Sequence, residues 1–336
     1  MYAGGGSGAI SPVSSISPED AFCHQASIDG TILYTDSTSE NPVVKDSNNP
    51  CLVFINSQFS EDWDRSTLAD VYSDTLVINV ASQCKNTMAF IHNAGVRLVD
   101  RWIEHPNITA VIFADLPGQY SGNSLTEIVY GRQPPSGRLP FTVAKNESDH
   151  GSLLRPTLPD RSNPQYSQSD FTQGLFIDYR RFIQTTITPR FVFGYGLTYS
   201  SFDYSSLKIS VNASAVRSSA PPGTTIGIAP EGDVTSLYDN IATVSISFKN
   251  TGTVAAAEVA LLYIGVPGSG VPKVLRGFEK QLIQPGAGVV MSFSPRRRDL
   301  SIWDVVTQQW VLPSGDFSVM VGKSVLDIQV QGILTM

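Results

Sequence analysis

The sequence predicts an α/β sandwich with a mostly parallel sheet, followed by an all-β antiparallel sandwich. From about residue 27 to 141, short apolar runs alternate with amphipathic ones, which is typical of repeated β-α-β units. Beyond residue 202, single residues alternate between apolar and polar, with turn residues between the runs. We therefore predict one domain over residues 1–200 and a second over residues 201–336.

The first predicted elements are a strand, a helix and a strand. The run Cys51-Leu-Val-Phe-Ile55 is apolar and short, and Met88-Ala-Phe-Ile91 is similar. Between them, apolar residues recur at helical spacing: Leu68, Tyr72, Leu76, Val80 and Cys84.

The same alternation continues towards residue 141. It predicts a helix near Val96 to Glu104 and a strand from Thr109 to Ala114. A further short helix is expected after Ser124, because Glu127 follows three residues later as in a capping box. In a parallel sheet the loops beyond the carboxyl ends of the strands contact ligands, so the loops after Ile55 and Ala114 are candidate site loops.

Residues 146–200 lose this periodicity and form a predicted irregular connecting segment, packed through its aromatic residues. The alternation in Val244-Ser-Ile-Ser-Phe248 then indicates a half-buried strand, and about seven such strands favour a β-sandwich. The aromatic residues of this part are expected to pack in the core or in hairpins rather than to bind sugar: Trp303, Trp310 and Phe317.

Composition excludes several classes of function. The formal net charge is −7 and no dense Lys/Arg run offsets it, so we expect no nucleic-acid partner. No apolar stretch approaches the roughly 20 residues that span a bilayer, so we expect no membrane segment. The four histidines show no paired ligand spacing, so we expect no metal and no cofactor.

Other features bear on the cellular compartment. The start of the sequence lacks the basic and apolar regions of a signal peptide, but three triplets fit the N-glycosylation pattern, at Asn107, Asn146 and Asn212. The chain has three cysteines, Cys23, Cys51 and Cys84, which allow one disulfide bond and one free thiol in any pairing.

The richest polar cluster follows the first predicted strand. Glu61, Asp62 and Asp64 lie in one loop with Arg65. Glycoside hydrolysis commonly uses one carboxylic acid to protonate the leaving oxygen, and neighbouring negative charge would help Glu61 to keep its proton. On composition alone, however, these residues are more typical of a solvated loop in which Asp64 or Ser66 caps the next helix.

Three other motifs are weaker. Gly4-Gly-Gly-Ser-Gly-Ala9 satisfies part of the dinucleotide-binding fingerprint, but no predicted strand precedes it. Ser121 lies in Gly118-Gln-Tyr-Ser-Gly122, whose spacing does not fit a serine-hydrolase elbow. We expect His92, at the end of a strand, to be packed or hydrogen-bonded rather than catalytic.

Several segments resemble fungal β-glucosidases of glycoside hydrolase family 3 over nearly the whole chain. Val53-Phe-Ile-Asn56 with Ser60-Glu61 and Asp64-Arg65 is similar to the family's acid/base loop. Further segments resemble the same domain and the fibronectin III-like module that follows it: Leu116–Gln119, Ser121–Leu125, Pro135–Pro140, Phe193–Ser200, Leu275–Phe278 and Leu300–Asp304.

The resemblance implies a secreted retaining β-glucosidase that releases terminal β-D-glucosyl residues from β-glucosides or short β-glucan oligosaccharides, as in cellulose degradation. It implies that Glu61 is the general acid/base, and that a TIM-like barrel, absent from this chain, supplies the nucleophile. We therefore expect the chain alone to be inactive. Asp62 stands where the family usually has Gly, and Tyr120 where an acidic residue is common, so a degenerate or merely carbohydrate-binding fragment is the alternative.

Overall fold

The computed structural model describes residues 3–61, 65–151, 161–162, 164–165, 171–220 and 234–336. The chain divides into two compact units. The first, here called the α/β unit, comprises residues 1–133, 141–170 and 187–191. The second, the β-sandwich unit, comprises residues 134–140, 171–186 and 192–336. The segments Pro135–Pro140 and Phe193–Ser200 therefore belong to the compact unit of the β-sandwich.

The α/β unit is built on a three-stranded parallel sheet in the order β1-β2-β3. Its elements in chain order are α1 (Pro18–Asp29), β1 (Pro50–Ser57), α2 (Val71–Gln83), β2 (Asn86–Asn93), β3 (Ile108–Phe113) and α3 (Ser121–Val129). The predicted parallel sheet is confirmed, as are the two strands and the helix that the sequence places between residues 51 and 91.

Helices cover both faces of this sheet. On one face, α2 packs against β1 and β2 with Val77 and Ala81 fully buried. On the other, Phe22 of α1 and Leu125 of α3 form a core cluster with Phe90 of β2. Alternate strand residues point to opposite faces, so the mostly apolar strands fill both cores.

Two helices differ from the sequence prediction. Helix α1 was not predicted, although Ser17 and Asp20 form a capping box and Pro18 occupies its first turn. Helix α3 begins at Ser121, not after Ser124, because a 3-10 turn over Gly118–Tyr120 leads directly into it. Gly122 allows α3 to approach α1, since a Cβ there would lie 2.2 Å from the Ser17 carbonyl oxygen.

The predicted helix from Val96 to Glu104 is wrong. The Leu98 N–H donates to the Leu68 carbonyl, outside any helical ladder, and only one helical turn forms where Ile103 N–H donates to Val99. The side chains of Arg97 and Trp102 instead reach Asp74 on α2, with hydrogen bonds of 2.8 and 2.9 Å. A buried polar network thus replaces the helix predicted from periodicity.

One disulfide bond joins Cys51, at the start of β1, to Cys84, at the end of α2, and Cys23 is a free, exposed thiol. Among the described residues, no helix is long and apolar enough to cross a membrane.

The β-sandwich unit contains a four-stranded sheet ordered β12-β11-β6-β7, a three-stranded sheet ordered β4-β5-β8 and a separate hairpin of β9 and β10. Its elements are α4 (Tyr179–Thr185), β4 (Phe202–Val211), β5 (Ala242–Asn250), β6 (Ala256–Gly265), β7 (Val274–Ile283), β8 (Gly288–Phe293), β9 (Ile302–Asp304), β10 (Gln309–Val311), β11 (Asp316–Gly322) and β12 (Ile328–Thr335). All described pairs in these sheets are antiparallel, as predicted.

The core of this unit lies between the two sheets and follows the predicted alternation. Val244, Ile246 and Phe248 are buried from β5, and Phe317 and Val319 from β11. The connecting segment predicted to be irregular contains α4, whose Tyr179 ring packs 4.7 Å from that of Phe193. Its packing through aromatic residues is therefore confirmed for the described part.

Candidate active site

Glu61 lies in the loop that follows β1, at the carboxyl edge of the parallel sheet. Its carboxylate is exposed, and Oε2 accepts a 2.7 Å hydrogen bond from the backbone N–H of Ser7. The Gly5 N–H donates to the carbonyl of Phe59 in the same loop at 3.2 Å. Asp62 and Asp64, predicted to share this loop, lie outside the described residues. The carboxylate is thus accessible to solvent while one of its oxygens is held by the unit's own backbone.

The protonation of Glu61 differs from the expectation based on neighbouring charge. Its pKa is lowered from the ordinary value, chiefly by the backbone N–H of Ser7 and next by the Ser7 hydroxyl. A hydrogen bond to the charged form stabilises that form, whereas like charges would have had the opposite effect. The expected rise in pKa is therefore wrong, because the hydrogen bond from the Ser7 backbone lowers it.

The glycine-rich start of the chain forms this contact through its backbone. Gly6 has a φ of +61°, and a Cβ built on it would lie 2.3 Å from the Cβ of Glu61. A Cβ on Gly5 would lie 2.6 Å from the Ser60 hydroxyl oxygen. Residues Gly6–Gly8 form a 3-10 turn, and no described strand leads into them, so the dinucleotide-binding context is missing.

The loop is also fixed where it leaves towards α2. Arg65 Nη2 donates to the Val96 carbonyl at 2.7 Å, and the Leu68 N–H donates to Glu147 Oε2 at 3.1 Å. The helix itself is capped by Asp70, whose side chain accepts from the Tyr72 N–H. The capping role predicted for Asp64 or Ser66 is therefore wrong, since α2 begins later than the apolar spacing suggested.

His92 is hydrogen-bonded and buried, as predicted. Its Nε2 lies 3.0 Å from the hydroxyl oxygen of Ser121, the first residue of α3. Burial lowers the pKa of His92 to about 4, so the imidazole is neutral near neutral pH. Because both side chains are at least 95% buried, this pair has no open position for a substrate carbonyl.

Asp115 is a candidate site residue that the sequence interpretation missed. It lies two residues beyond the end of β3, at the carboxyl edge where β1 and β2 also end, and its φ is +47°. Burial raises the pKa of its carboxyl group, while the side chain of Asn93 at the end of β2 partly offsets that rise. Its position immediately after Ala114, in a loop already expected to contact ligands, was the available signal.

The three glycosylation candidates differ in their surroundings. The amide nitrogen of Asn107 donates to the Ala81 carbonyl, and that of Asn212 donates to the Asn240 carbonyl, both at 2.8 Å. Asn146 is exposed, at the start of a 3-10 turn. Space for an attached sugar is therefore clearest at Asn146, and modification of all three stays a prediction.

The aromatic residues of the hairpin pack on each other. Trp303 and Trp310 are register partners, with ring centroids 5.6 Å apart in an edge-to-face arrangement. The Arg298 guanidinium lies 5.0 Å from the Trp310 ring centroid. Hairpin packing is therefore confirmed for this pair. Tyr120, the other departure noted in the sequence, is exposed in the turn before α3.

In the part of the chain described, no three His, Cys, Asp or Glu side chains come together as metal ligands. The polar groups at the sheet edge are instead carboxylates and amides, with Glu61 the exposed carboxylate on a loop fixed at both ends. An α/β unit followed by a fibronectin-like sandwich is the class of structure that a glycosyl hydrolase family 3 C-terminal domain and a fibronectin type III-like domain together define.

The chain belongs to glycoside hydrolase family 3. The model of the glycosyl hydrolase family 3 C-terminal domain matches residues 1–199, and that of the fibronectin type III-like domain matches residues 258–325.

Curated relatives agree with this assignment. The chain is 51% identical over 336 residues to the probable beta-glucosidase M of Aspergillus fumigatus, covering 100% of this chain and 43% of the relative. It is 46% identical over 330 residues to beta-glucosidase cel3A of Pyricularia oryzae, covering 98% of this chain and 41% of the relative. The chain thus spans less than half the length of these relatives.

Solved structures show the same relationship. The beta-D-glucoside glucohydrolase of Trichoderma reesei superposes with a TM-score of 0.88 at 34% identity, covering 99% of this chain and 47% of that one. A beta-glucosidase from Chaetomella raphigera superposes with a TM-score of 0.86 at 37% identity, covering 99% and 46% respectively. The fold prediction is therefore confirmed over nearly the whole chain.

Proposed function

We propose that this chain is the acid/base part of a secreted, retaining β-glucosidase, with Glu61 as the general acid/base. The complete protein releases terminal β-D-glucosyl residues from β-glucosides and short β-glucan oligosaccharides. The observation that carries the proposal is the exposed Glu61 carboxylate on a loop fixed at both ends, in a chain that resembles proteins named β-glucosidase.

Glu61 has two tasks in such a reaction. As an acid it gives its proton to the oxygen of the departing group, and as a base it later takes a proton from the water that attacks the glycosyl intermediate. The hydrogen bond from Ser7 favours the ionised carboxylate, which is the form present between these two steps. Glu61 must be protonated at the start, so the lowered pKa suits a reaction in acidic medium.

A second carboxylate is required, because retaining hydrolysis proceeds through a covalent intermediate formed on a group about 5 Å from the acid. We assign this nucleophile to a barrel domain of the complete protein, since the relatives extend well beyond the matched portion. The chain alone then protonates no leaving group productively and has no turnover. Glycosylation at Asn146 would accompany secretion.

The test joins residues 1–336 to the N-terminal part of the Aspergillus fumigatus relative in place of that protein's matching segment. The chimera should hydrolyse cellobiose, and Glu61→Ala should lower that rate about 10²- to 10⁴-fold. The loss should be smaller for a dinitrophenyl glucoside, whose leaving group needs no proton, and azide should partly restore turnover.

The matched control is Glu40→Ala. Glu40 is an exposed glutamate of the same unit, whose carbonyl accepts from Asn79 near the carboxyl end of α2, away from the Glu61 loop. Its replacement should leave the rate unchanged. Equal turnover of cellobiose by the Glu61→Ala chimera would remove Glu61 from the mechanism. Turnover by residues 1–336 alone would contradict the assignment of the nucleophile to another domain.

A further inference from the structure

The segment Gly4–Ser7 lies along the Glu61 loop and is joined to it by two backbone donors. The Gly5 N–H donates to the Phe59 carbonyl at 3.2 Å, and the Ser7 N–H donates to Glu61 Oε2 at 2.7 Å. Residues 7 and 61 are 54 positions apart, so local turn geometry does not explain this contact.

The close approach depends on the absence of side chains. At Gly6 the φ of +61° is one that side chains rarely adopt, and a Cβ would lie 2.3 Å from the Glu61 Cβ and 2.9 Å from its backbone nitrogen. At Gly8, by contrast, a Cβ would meet nothing within 4 Å. Gly6, which contacts the Glu61 loop, therefore has no room for a side chain, whereas Gly8 does.

Among the described residues, no charged group explains the lowered pKa of Glu61. Its pKa is lowered by the Ser7 N–H and next by the Ser7 hydroxyl, while burial acts in the opposite direction, and no ionisable group in the described part of the chain is among the causes. Arg65, the nearest described cation in the sequence, donates to Val96 and interacts electrostatically with Arg97 and Glu147. Asp62 and Asp64 lie outside the described residues. The described geometry leaves Ser7 as the group that acts on the carboxylate.

We propose that Gly4–Ser7 is a positioning element for the acid/base: the Ser7 N–H orients the Glu61 carboxylate and stabilises the negative charge that appears when Glu61 gives up its proton. A hydrogen bond to an oxygen strengthens as that oxygen becomes charged, so this donor favours the transition state of proton transfer over the protonated ground state. The catalytic meaning rests on the proposed function, whereas the hydrogen bond itself can be tested in this chain alone.

The first experiment follows the Ser7 amide and the Glu61 carboxyl carbon by NMR in residues 1–336 as pH is varied. The Ser7 amide proton should shift with the same midpoint as Glu61, and Glu61→Gln should abolish that titration. The midpoint should lie below about 4.3, the ordinary value for glutamate. If the Ser7 amide shift does not follow the titration of Glu61, the proposal is wrong. This test requires no substitution in the segment Gly4–Ser7.

The second experiment compares two substitutions at the donor. Ser7→Pro removes the N–H and should raise the Glu61 midpoint towards the ordinary value, while Ser7→Ala keeps the N–H and should retain most of the shift. Gly8→Ala is the control and should leave the midpoint unchanged. An unaltered Glu61 midpoint in Ser7→Pro, with an unaltered thermal unfolding curve, would contradict the proposal.

In the chimera, Ser7→Pro should lower kcat for cellobiose about tenfold and dinitrophenyl glucoside turnover less, because only the first needs protonation. The alkaline limb of kcat/KM should move to higher pH, since the acid holds its proton longer without its donor. If the alkaline limb of the kcat/KM profile stays at the same pH, Ser7 does not position Glu61 for catalysis. If Glu61→Ala leaves the chimera fully active, the proposed function fails instead, and the NMR result still decides whether Ser7 holds Glu61.

Discussion

Two glutamates in the two units show opposite ways of holding a carboxylate. Glu258 on β6 is 1% exposed and accepts from Arg138 Nη2, at 3.1 and 3.0 Å, and from the Tyr204 hydroxyl. Burial, and then the Glu258 charge, raises the pKa of Tyr204, so that phenol stays a donor. Glu61 is exposed and has a backbone donor on one oxygen. Glu258 is thus enclosed by side-chain donors, whereas Glu61 remains exposed to solvent.

The largest effect that would sharpen this comparison is expected at Glu258. Glu258→Ala leaves the Arg138 guanidinium, itself mostly buried, without its carboxylate. Breaking a buried ion pair by removing one partner lowers the free energy of unfolding by about 3–5 kcal/mol. Urea unfolding followed by the fluorescence of Trp303 and Trp310, which lie in the same unit, measures this loss.

Two control substitutions accompany the measurement on Glu258→Ala. Glu279→Ala removes an exposed glutamate from neighbouring β7 and should change the free energy of unfolding by less than about 0.5 kcal/mol. Glu61→Ala should leave the urea midpoint unaltered. A Glu258→Ala chain as stable as the unsubstituted one would break the comparison, because the buried pair would then have no structural role.

The second test concerns covalent support. The bond between Cys51 and Cys84 closes a separation of 33 residues in the α/β unit, and no cysteine occurs beyond residue 84. Replacing both by serine should lower the free energy of unfolding of that unit by about 3 kcal/mol, as reported by Trp102 fluorescence. Cys23→Ser, at the exposed free thiol, is the control. A large shift of the Trp303 and Trp310 signal instead would contradict the assignment of this bond to one unit's stability.

The smallest expected effect is on the pH dependence of the free energy of unfolding. It concerns the α/β unit, which contains all four histidines. The buried His92 has its pKa lowered to about 4 in the folded chain. The unfolded chain binds this proton near pH 6.5 and the folded chain only near pH 4, so stability falls as pH drops through that window. At pH 5 the loss relative to pH 7.5 is on the order of 2 kcal/mol.

His92→Gln isolates this contribution. Its free energy of unfolding should vary less between pH 7.5 and pH 5 than that of the unsubstituted chain, as measured by urea titration at both values. His105→Gln, which alters a half-buried histidine of the same unit, serves as the control. Identical pH dependence in the His92→Gln chain and the unsubstituted chain would show that the imidazole does not stay neutral in the fold.

Hydrophobic periodicity predicted the secondary structure correctly where the burial of side chains along an element is regular. Val244–Phe248 alternates because every second side chain enters the sandwich core, and Met88–Ile91 is apolar throughout because the central strand β2 is covered on both faces. The helix that periodicity predicts between Val96 and Glu104 does not form, because Arg97 and Trp102 hydrogen-bond to Asp74 on α2. Such a network depends on tertiary structure.

The candidate site was predictable in position but not in electrostatics. The loop after Ile55 and the loop after Ala114 follow from the rule for parallel sheets, and they contain Glu61 and Asp115. The pKa of Glu61 could not be derived from its sequence neighbours, since the donor that controls it comes from Ser7. The glycines at positions 4 to 6 match part of the dinucleotide-binding fingerprint, yet in the structure they allow the backbone to lie against the Glu61 loop of the same chain.

The disulfide bond between Cys51 and Cys84 fixes the amino end of strand β1 to the carboxyl end of helix α2. The bond lies near the amino end of an eight-residue strand, and the Glu61 loop extends from the opposite end, about 20 Å away at the usual rise per residue. A tilt of about 3° at the base would then displace the tip by roughly 1 Å, a misplacement that can lower an enzymatic rate on the order of a hundredfold. If Glu61 has the proposed role, reduction of this distant bond would therefore lower the rate by displacing the Glu61 loop.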